Sequence, residues 1–344
     1  MKKLHVFVII LVVFLSGCTA DESADVPITS NYVGLVTSVY ADSLPSTLYE
    51  GDQLFLQLQV ENQGDYDVAL GNYFLNIKGI NPKAFEVLEE PDLTKTSTME
   101  LPSLGDFGND TIVRGQEVFT IGDTFMYCND IDNDLSLNLH AKSCYDYGTT
   151  SEISACFIKS TITGGDDVCV VSEFKPVTNS VAPLAITEIA ESVAGSSAVR
   201  FRVKVENLGA GTVFDKYAET DILTTLGNCD TLRRDQENVV YIDSITLDGL
   251  PMDLSYEGGV EHLDNGMNRF RIDSTGAGRF SFTTETTGLD FVGNVEIKLS
   301  YGYSETDIFR TTIQALSDFQ PSCATSGTST NGGGSGSSSS SETI

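Results

Sequence analysis

Along most of the chain, apolar side chains recur at every second position, and helical spacing is nearly absent. Leu54-Phe55-Leu56-Gln57-Leu58-Gln59-Val60 puts Leu54, Leu56, Leu58 and Val60 on one face and the glutamines on the other. That alternation is the signature of a half-buried antiparallel strand. Val199-Arg200-Phe201-Arg202-Val203-Lys204-Val205 repeats it, with four apolar residues turned inward and three cations outward. Both strands run into a shared pentad pattern, Val60-Glu61-Asn62-Gln63-Gly64 and Val205-Glu206-Asn207-Leu208-Gly209, at an offset of 145 residues. Upstream, Thr37-Ser38-Val39 matches Thr187-Glu188-Ile189. Downstream, Tyr145-Asp146-Tyr147-Gly148 matches Tyr301-Gly302-Tyr303-Ser304, each expected to lead into a polar turn and another strand. Three matches in one order indicate an internal duplication whose unit is a whole domain. The Asn and Gly that follow the strand are expected to close a tight turn, since both tolerate left-handed backbone geometry.

This strand-then-Val-x-Asn-x-Gly pattern resembles the Ig-like modules of prokaryotic surface proteins, including the CARDB-type domains named for cell adhesion. The resemblance covers roughly residues 33 to 171 and 181 to 316. The expected fold is all-β: two tandem Ig-like antiparallel β-sandwich domains, with an N-terminal signal segment and a disordered C-terminal tail. The divisions are 1–17 (signal peptide), 18–31 (acidic tether), 32–175 (sandwich with a loop insertion), 180–319 (sandwich) and 320–344 (Ser/Gly-rich tail). The insertion, Asn81 to Thr111, carries Pro82, Pro91 and Pro102 and is expected to form surface loops, because proline cannot donate to a ladder. A proline-bounded connector, Ser172 to Pro183, suggests two beads with limited hinge motion. The stretch from Thr325 to Ser341 is almost wholly Ser, Gly, Thr and Asn, too polar to pack.

The start of the chain has a different pattern. Lys2 and Lys3 precede a ten-residue apolar run, Val6 to Leu15, followed by Ser16, Gly17 and Cys18. This is the layout of a secretory signal, and the run is shorter than the roughly 20 residues a helix needs to span a bilayer. Leu15-Ser16-Gly17-Cys18 resembles the lipobox of prokaryotic lipoproteins. The resemblance implies cleavage before Cys18 and lipid on its sulfur, hence an extracytoplasmic protein held at the envelope membrane. Thr19 to Ser30, twelve residues, would reach about 20 Å as a flexible coil, keeping the first domain close to the membrane.

Charge and cysteines narrow the choices further. The formal net charge is −29, and removal of Lys2 and Lys3 makes it −31. Such a field repels phosphate polymers and argues against nucleic acid as a partner. With Cys18 assigned to lipid, Cys128, Cys144, Cys156, Cys169, Cys229 and Cys323 form an even set, which in an exported protein favours disulfides. Four of them fall between Cys128 and Cys169, so at least one bridge is expected there, with Cys229 and Cys323 as the leftover pair. A zinc set of Cys128, His140, Cys144 and Cys156 lacks the close CxxC knuckles of a structural site.

Candidate chemistry is sparse. Asp130, Asp132 and Asp134 have the spacing of a calcium loop, but Leu135 and Ala141 stand where an EF-hand needs Gly and Glu. A looser calcium loop is weighed against a polar turn leading into a strand, and no other cofactor is expected. The pairs Tyr145/Tyr147 and Tyr301/Tyr303 are read as packing residues rather than as a sugar platform. His140 and His262 lie in different repeats, with no nucleophile motif beside them, so no enzyme is expected. Gly209-Ala210-Gly211 and Gly276-Ala277-Gly278 are read as turns, and Asn109-Asp110-Thr111 is a lone sequon. The expected function is a structural or adhesion module whose partner is an unidentified envelope protein or glycan. The alternative is a ligand-binding lipoprotein holding sugar, peptide or calcium between its domains or in its loops.

Overall fold

The computed structural model describes residues 32–317 apart from 87, 104, 107–111, 159–168, 170, 172–173, 219–221, 228, 230 and 286–289. The signal segment, Cys18, the tether, Cys323, the tail and the sequon lie outside the described residues. Within them the chain is all-β, as the hydrophobic alternation predicts. The only α-helix among the described residues is the short segment Ile222–Gly227.

Each repeat contributes a four-stranded antiparallel sheet. The first runs in the order Leu35–Val39, Gln53–Asn62, Gln116–Tyr127, Phe85–Glu86, and the second in the order Leu184–Val193, Ala198–Asn207, Ala277–Glu285, Ser255–Gly258. The alternation read from sequence is the observed burial: Leu54, Leu56, Leu58 and Val60 are buried in the first sheet, and Val199, Phe201, Val203 and Val205 in the second. Each fully buried side chain of this kind stabilises the fold by about 1.5–3 kcal/mol relative to exposure. Registers repeat as well, since Leu35 faces Asn62 and Leu184 faces Asn207. The match of Ser38 with Glu188 and of Val39 with Ile189 holds, while Thr187 falls in a β-bulge between Ile186 and Glu188.

Both small sheets pack on one eleven-stranded sheet. Its centre is the antiparallel pair Leu135–Phe157 and Phe291–Gln314, joined over 23 consecutive positions from Leu135 opposite Ile313 to Phe157 opposite Phe291. Tyr145 faces Tyr303 and Tyr147 faces Tyr301. Because Tyr145 matches Tyr301 in the repeat, the two long strands are related by a pseudo-two-fold axis between Asp146 and Gly302.

The expected polar turns after Gly148 and Ser304 are therefore absent, and both strands run straight through. Neither glycine at this centre is a turn residue. A Cβ on Gly148 would lie 2.4 Å from the Tyr66 ring, and one on Gly302 would lie 2.3 Å from the Phe214 ring. Both positions are bare so that an aromatic side chain can cross the strand.

The long strands are also shared between cores. The first half of Leu135–Phe157 sits under the first small sheet, where Thr37 Oγ1 meets Ser143 Oγ at 2.9 Å. Its second half enters the other core: Thr149 Oγ1 donates to Leu184 O at 2.9 Å, and Phe157 lies 6.2 Å from Phe201. The second long strand returns the exchange. Thr311 Oγ1 donates to Pro45 O at 2.8 Å, and Thr312 to Gln314 pair in parallel with Thr47–Tyr49.

The hinged-bead picture is corrected accordingly. The connector is bonded along its length, by Ser180 N to Thr150 O, by Val181 N to Asp65 Oδ2 at 2.6 Å, and by a buried Lys175–Glu191 ion pair at 2.6 Å.

The disulfides follow from this exchange. Cys156 pairs with Cys169, and Cys144 pairs with Cys229 at a Cα separation of 6.5 Å. The expected Cys229–Cys323 pair is overturned, because the shared sheet carries Cys144 to the second repeat, against Phe214 and Leu226. Cys128 is also disulfide-bonded.

Candidate functional site

The residues singled out from sequence fall into three groups. Asp130, Asp132 and Asp134 are exposed, and Asp134 Oδ1 accepts from Ala315 N at 3.1 Å. Among the described residues, no three His, Cys, Asp or Glu side chains converge as a metal site. The zinc set is dismantled, since its cysteines belong to disulfides. His140 is half-buried on the first long strand, while His262 is exposed, with Nδ1 2.7 Å from Asn268 Oδ1.

The tyrosine pairs form a buried lock around the pseudo-dyad, and all four rings are at most 1% exposed. Tyr147 Oη donates to Asn62 Oδ1 at 3.1 Å, and Tyr303 Oη donates to Asn207 Oδ1 at 3.3 Å. Leu35 N donates to Tyr145 Oη and Leu184 N to Tyr301 Oη, both at 3.3 Å. These bonds explain the repeated pentad differently from the turn reading. Its asparagine receives a tyrosine hydroxyl, and its glycine makes room for that hydroxyl. A Cβ on Gly64 would stand 2.0 Å from Tyr147 Oη, and one on Gly209 would stand 2.3 Å from Tyr303 Oη. Neither glycine has a positive φ.

Beside the axis, Lys216 Nζ lies 3.2 Å from Asp146 Oδ1, with side chains 7% and 11% exposed. Burial pushes the Asp146 carboxyl above its ordinary range, against the pull of Lys216. For Lys216 burial acts downward, but Asp146 and the neighbouring Tyr217, Tyr66 and Asp243 hold the ammonium above the usual lysine value. The pair ties the loop after Thr212–Phe214 to the centre of the shared sheet. It is a structural device, closed to solvent.

The open site is on the outer face of the second small sheet. A groove of about 480 Å³ is lined by Phe174, Glu188, Arg202, Lys204, Arg279 and Ser281, with Gly258 and Gly259 at its rim. Arg202 and Lys204 are alternate residues of one strand, and Arg279 sits directly opposite Lys204 on the next. Lys204 Nζ reaches Glu206 at 3.0 Å, whereas Arg202 and Arg279 have no carboxylate within ion-pair distance among the described residues. Like charges facing each other across strands are destabilising. The outward cations of this strand are visible in the alternation of Val199 to Val205, but the alternation alone gives them no role.

The signal that identifies them is the other copy. The positions equivalent to Arg202, Lys204 and Arg279 are Gln57, Gln59 and Val118. There Gln57 Nε2 donates to Thr120 Oγ1 at 3.2 Å and Gln59 Nε2 to Gln116 Oε1 at 2.8 Å. The fold is built with neutral residues at these places, so the cations are not required by it.

No protein-family model and no curated protein matches this chain. Among solved structures, a collagen adhesin (CNA) from S. aureus is similar at 12% identity, over 82% of this chain and 92% of that one, with a TM-score of 0.11.

Proposed function

We propose that this chain is a lipid-anchored module of a prokaryotic envelope that presents a binding face to the extracytoplasmic space and works by interaction rather than by catalysis. The observation that supports it best is the reciprocal sharing of the two long strands, stapled by Cys144–Cys229. A body built this way joins its halves through one continuous sheet, so a face on the second repeat keeps a fixed orientation to the first repeat. Disulfides are the chemistry of an oxidising compartment, which agrees with export.

The test is Cys18→Ser with membrane fractionation and intact mass. Loss of the lipid mass together with release of the protein supports the anchor, and unchanged mass and partitioning removes it. The ligand-binding reading also has an observation in its favour, the cationic groove. Its site is better placed in that groove of about 480 Å³ than in the smaller cleft of about 230 Å³ between the halves, which Val33, Gly34, Pro183 and Leu208 line without a cation.

A further inference from the structure

We infer that the groove over Arg202, Lys204 and Arg279 is a binding site for an acidic polysaccharide, one whose sugar rings carry carboxylates. The inference rests on the reading of this chain as an interaction module and names the ligand class of its exposed face.

Four of the chain's 20 basic residues, Arg200, Arg202, Lys204 and Arg279, lie on this one face of a protein with 49 acidic residues. Arg200 is neutralised by Glu257, at 2.5 Å. The other three line the groove, Lys204 held by Glu206 at 3.0 Å and the two arginines in no ion pair among the described residues. Alternate residues of a strand are about 6.8 Å apart and opposed residues about 5 Å. These positions are close enough for the two arginine forks to take carboxylates on neighbouring rings of one polymer, with Lys204 beside both. An arginine fork takes a carboxylate through two parallel hydrogen bonds.

The groove is not uniformly cationic, and this separates a glycan from an acidic peptide. Glu188 lines it, faces Lys204 across the strands, and is in no ion pair among the described residues. Ser281 lies beside it, opposite Arg202. A carboxylate and a hydroxyl at these positions call for a ligand with hydroxyl donors as well as negative charge. A uronate ring carries both on every unit, whereas an acidic peptide has donors only in its backbone amides. Phe174, 60% exposed on the groove wall, offers an apolar surface to the C–H face of a ring.

The protein's overall negative charge does not forbid this. Screening acts over about 8 Å at physiological ionic strength, so a bound ring senses the local cations more than the distant carboxylates.

The duplication supplies the control variant. Arg202→Gln, Lys204→Gln and Arg279→Val together install the residues of the first copy, which folds with them. The full chain is solubilised in mild detergent, so that the result does not depend on the state of Cys18. Binding is measured by biolayer interferometry to polygalacturonate, with dextran, polyglutamate and polyphosphate alongside. The inference predicts binding to polygalacturonate that weakens about tenfold or more in the triple variant, whose circular dichroism and melting temperature are unchanged. No binding by the wild-type chain, equal binding by the variant, or equal binding to dextran or polyphosphate overturns it. Binding to polyglutamate with the same sensitivity overturns the glycan assignment but leaves the interaction reading standing. The lipid anchor fails separately, if the Cys18→Ser chain keeps its mass and its membrane partitioning.

Discussion

Gly209→Ala tests the lock between the repeat motif and the tyrosines. The added methyl would lie 2.3 Å from Tyr303 Oη and 3.0 Å from Pro183 Cβ, so the phenol is the main obstacle. Forcing a methyl into packed space costs about 1–3 kcal/mol. Because φ at Gly209 is not positive, backbone strain contributes nothing. Tyr303→Phe removes the oxygen, and with it the bond from Gly211 N at 2.7 Å and the bond to Asn207, a loss of about 1–2 kcal/mol. In the double variant the methyl occupies the space the oxygen has left. Gly209→Ala/Tyr303→Phe is therefore expected to be about as stable as Tyr303→Phe alone, with a coupling of about 1–3 kcal/mol between the two sites. Urea unfolding followed by far-ultraviolet circular dichroism measures all four corners of the cycle. Gly64→Ala is the contrasting case, since its methyl also meets Val181 O at 2.6 Å and Val33 O at 2.8 Å, and Tyr147→Phe should rescue it only in part. Additive costs for Gly209→Ala and Tyr303→Phe, or a harmless Gly209→Ala, would refute the proposed role of the glycine.

Two further outcomes follow from the buried centre. Burial pushes the Tyr73 phenol up to about 12 and holds Tyr145 and Tyr301 well above the ordinary value of 10.0. Since the folded values are raised, the stability these groups contribute is complete below the unfolded value and is lost as pH climbs through the folded ones. An alkaline titration should show their ionisation arriving together with loss of far-ultraviolet circular dichroism, and tyrosinate absorbance from these groups in a still-folded protein would contradict it. Lys216→Met leaves Asp146 buried without its cation and should destabilise the chain by about 3–5 kcal/mol in urea, with Lys216→Met/Asp146→Asn recovering much of the loss.

The small sheets were legible because each is wetted on one side, so hydropathy alternates along Leu54 to Val60 and Val199 to Val205. The long strands were not, because they are paired on both edges and carry buried polar residues. Ser143, Thr149, Ser151 and Ser300 are all buried, and they find partners in Thr37, Leu184, Asn179 and Asp243, which lie far away in sequence. A polar run satisfied by remote partners looks like a turn when only neighbours can be seen. The pairing of Cys144 with Cys229 was hidden for the same reason, since it depends on which strands adjoin across the axis. The groove lay between these extremes: its cations were visible in sequence, but their meaning came from Gln57, Gln59 and Val118 at the same structural places.

The central claim, that the two repeats share one sheet and exchange half of each long strand, is tested most directly by calorimetry of the full chain. A single transition is predicted, with the van't Hoff and calorimetric enthalpies equal, because neither core is complete without the other's strand. Two resolved transitions, each recovered separately on partial heating and cooling, would show two independent domains and contradict the account.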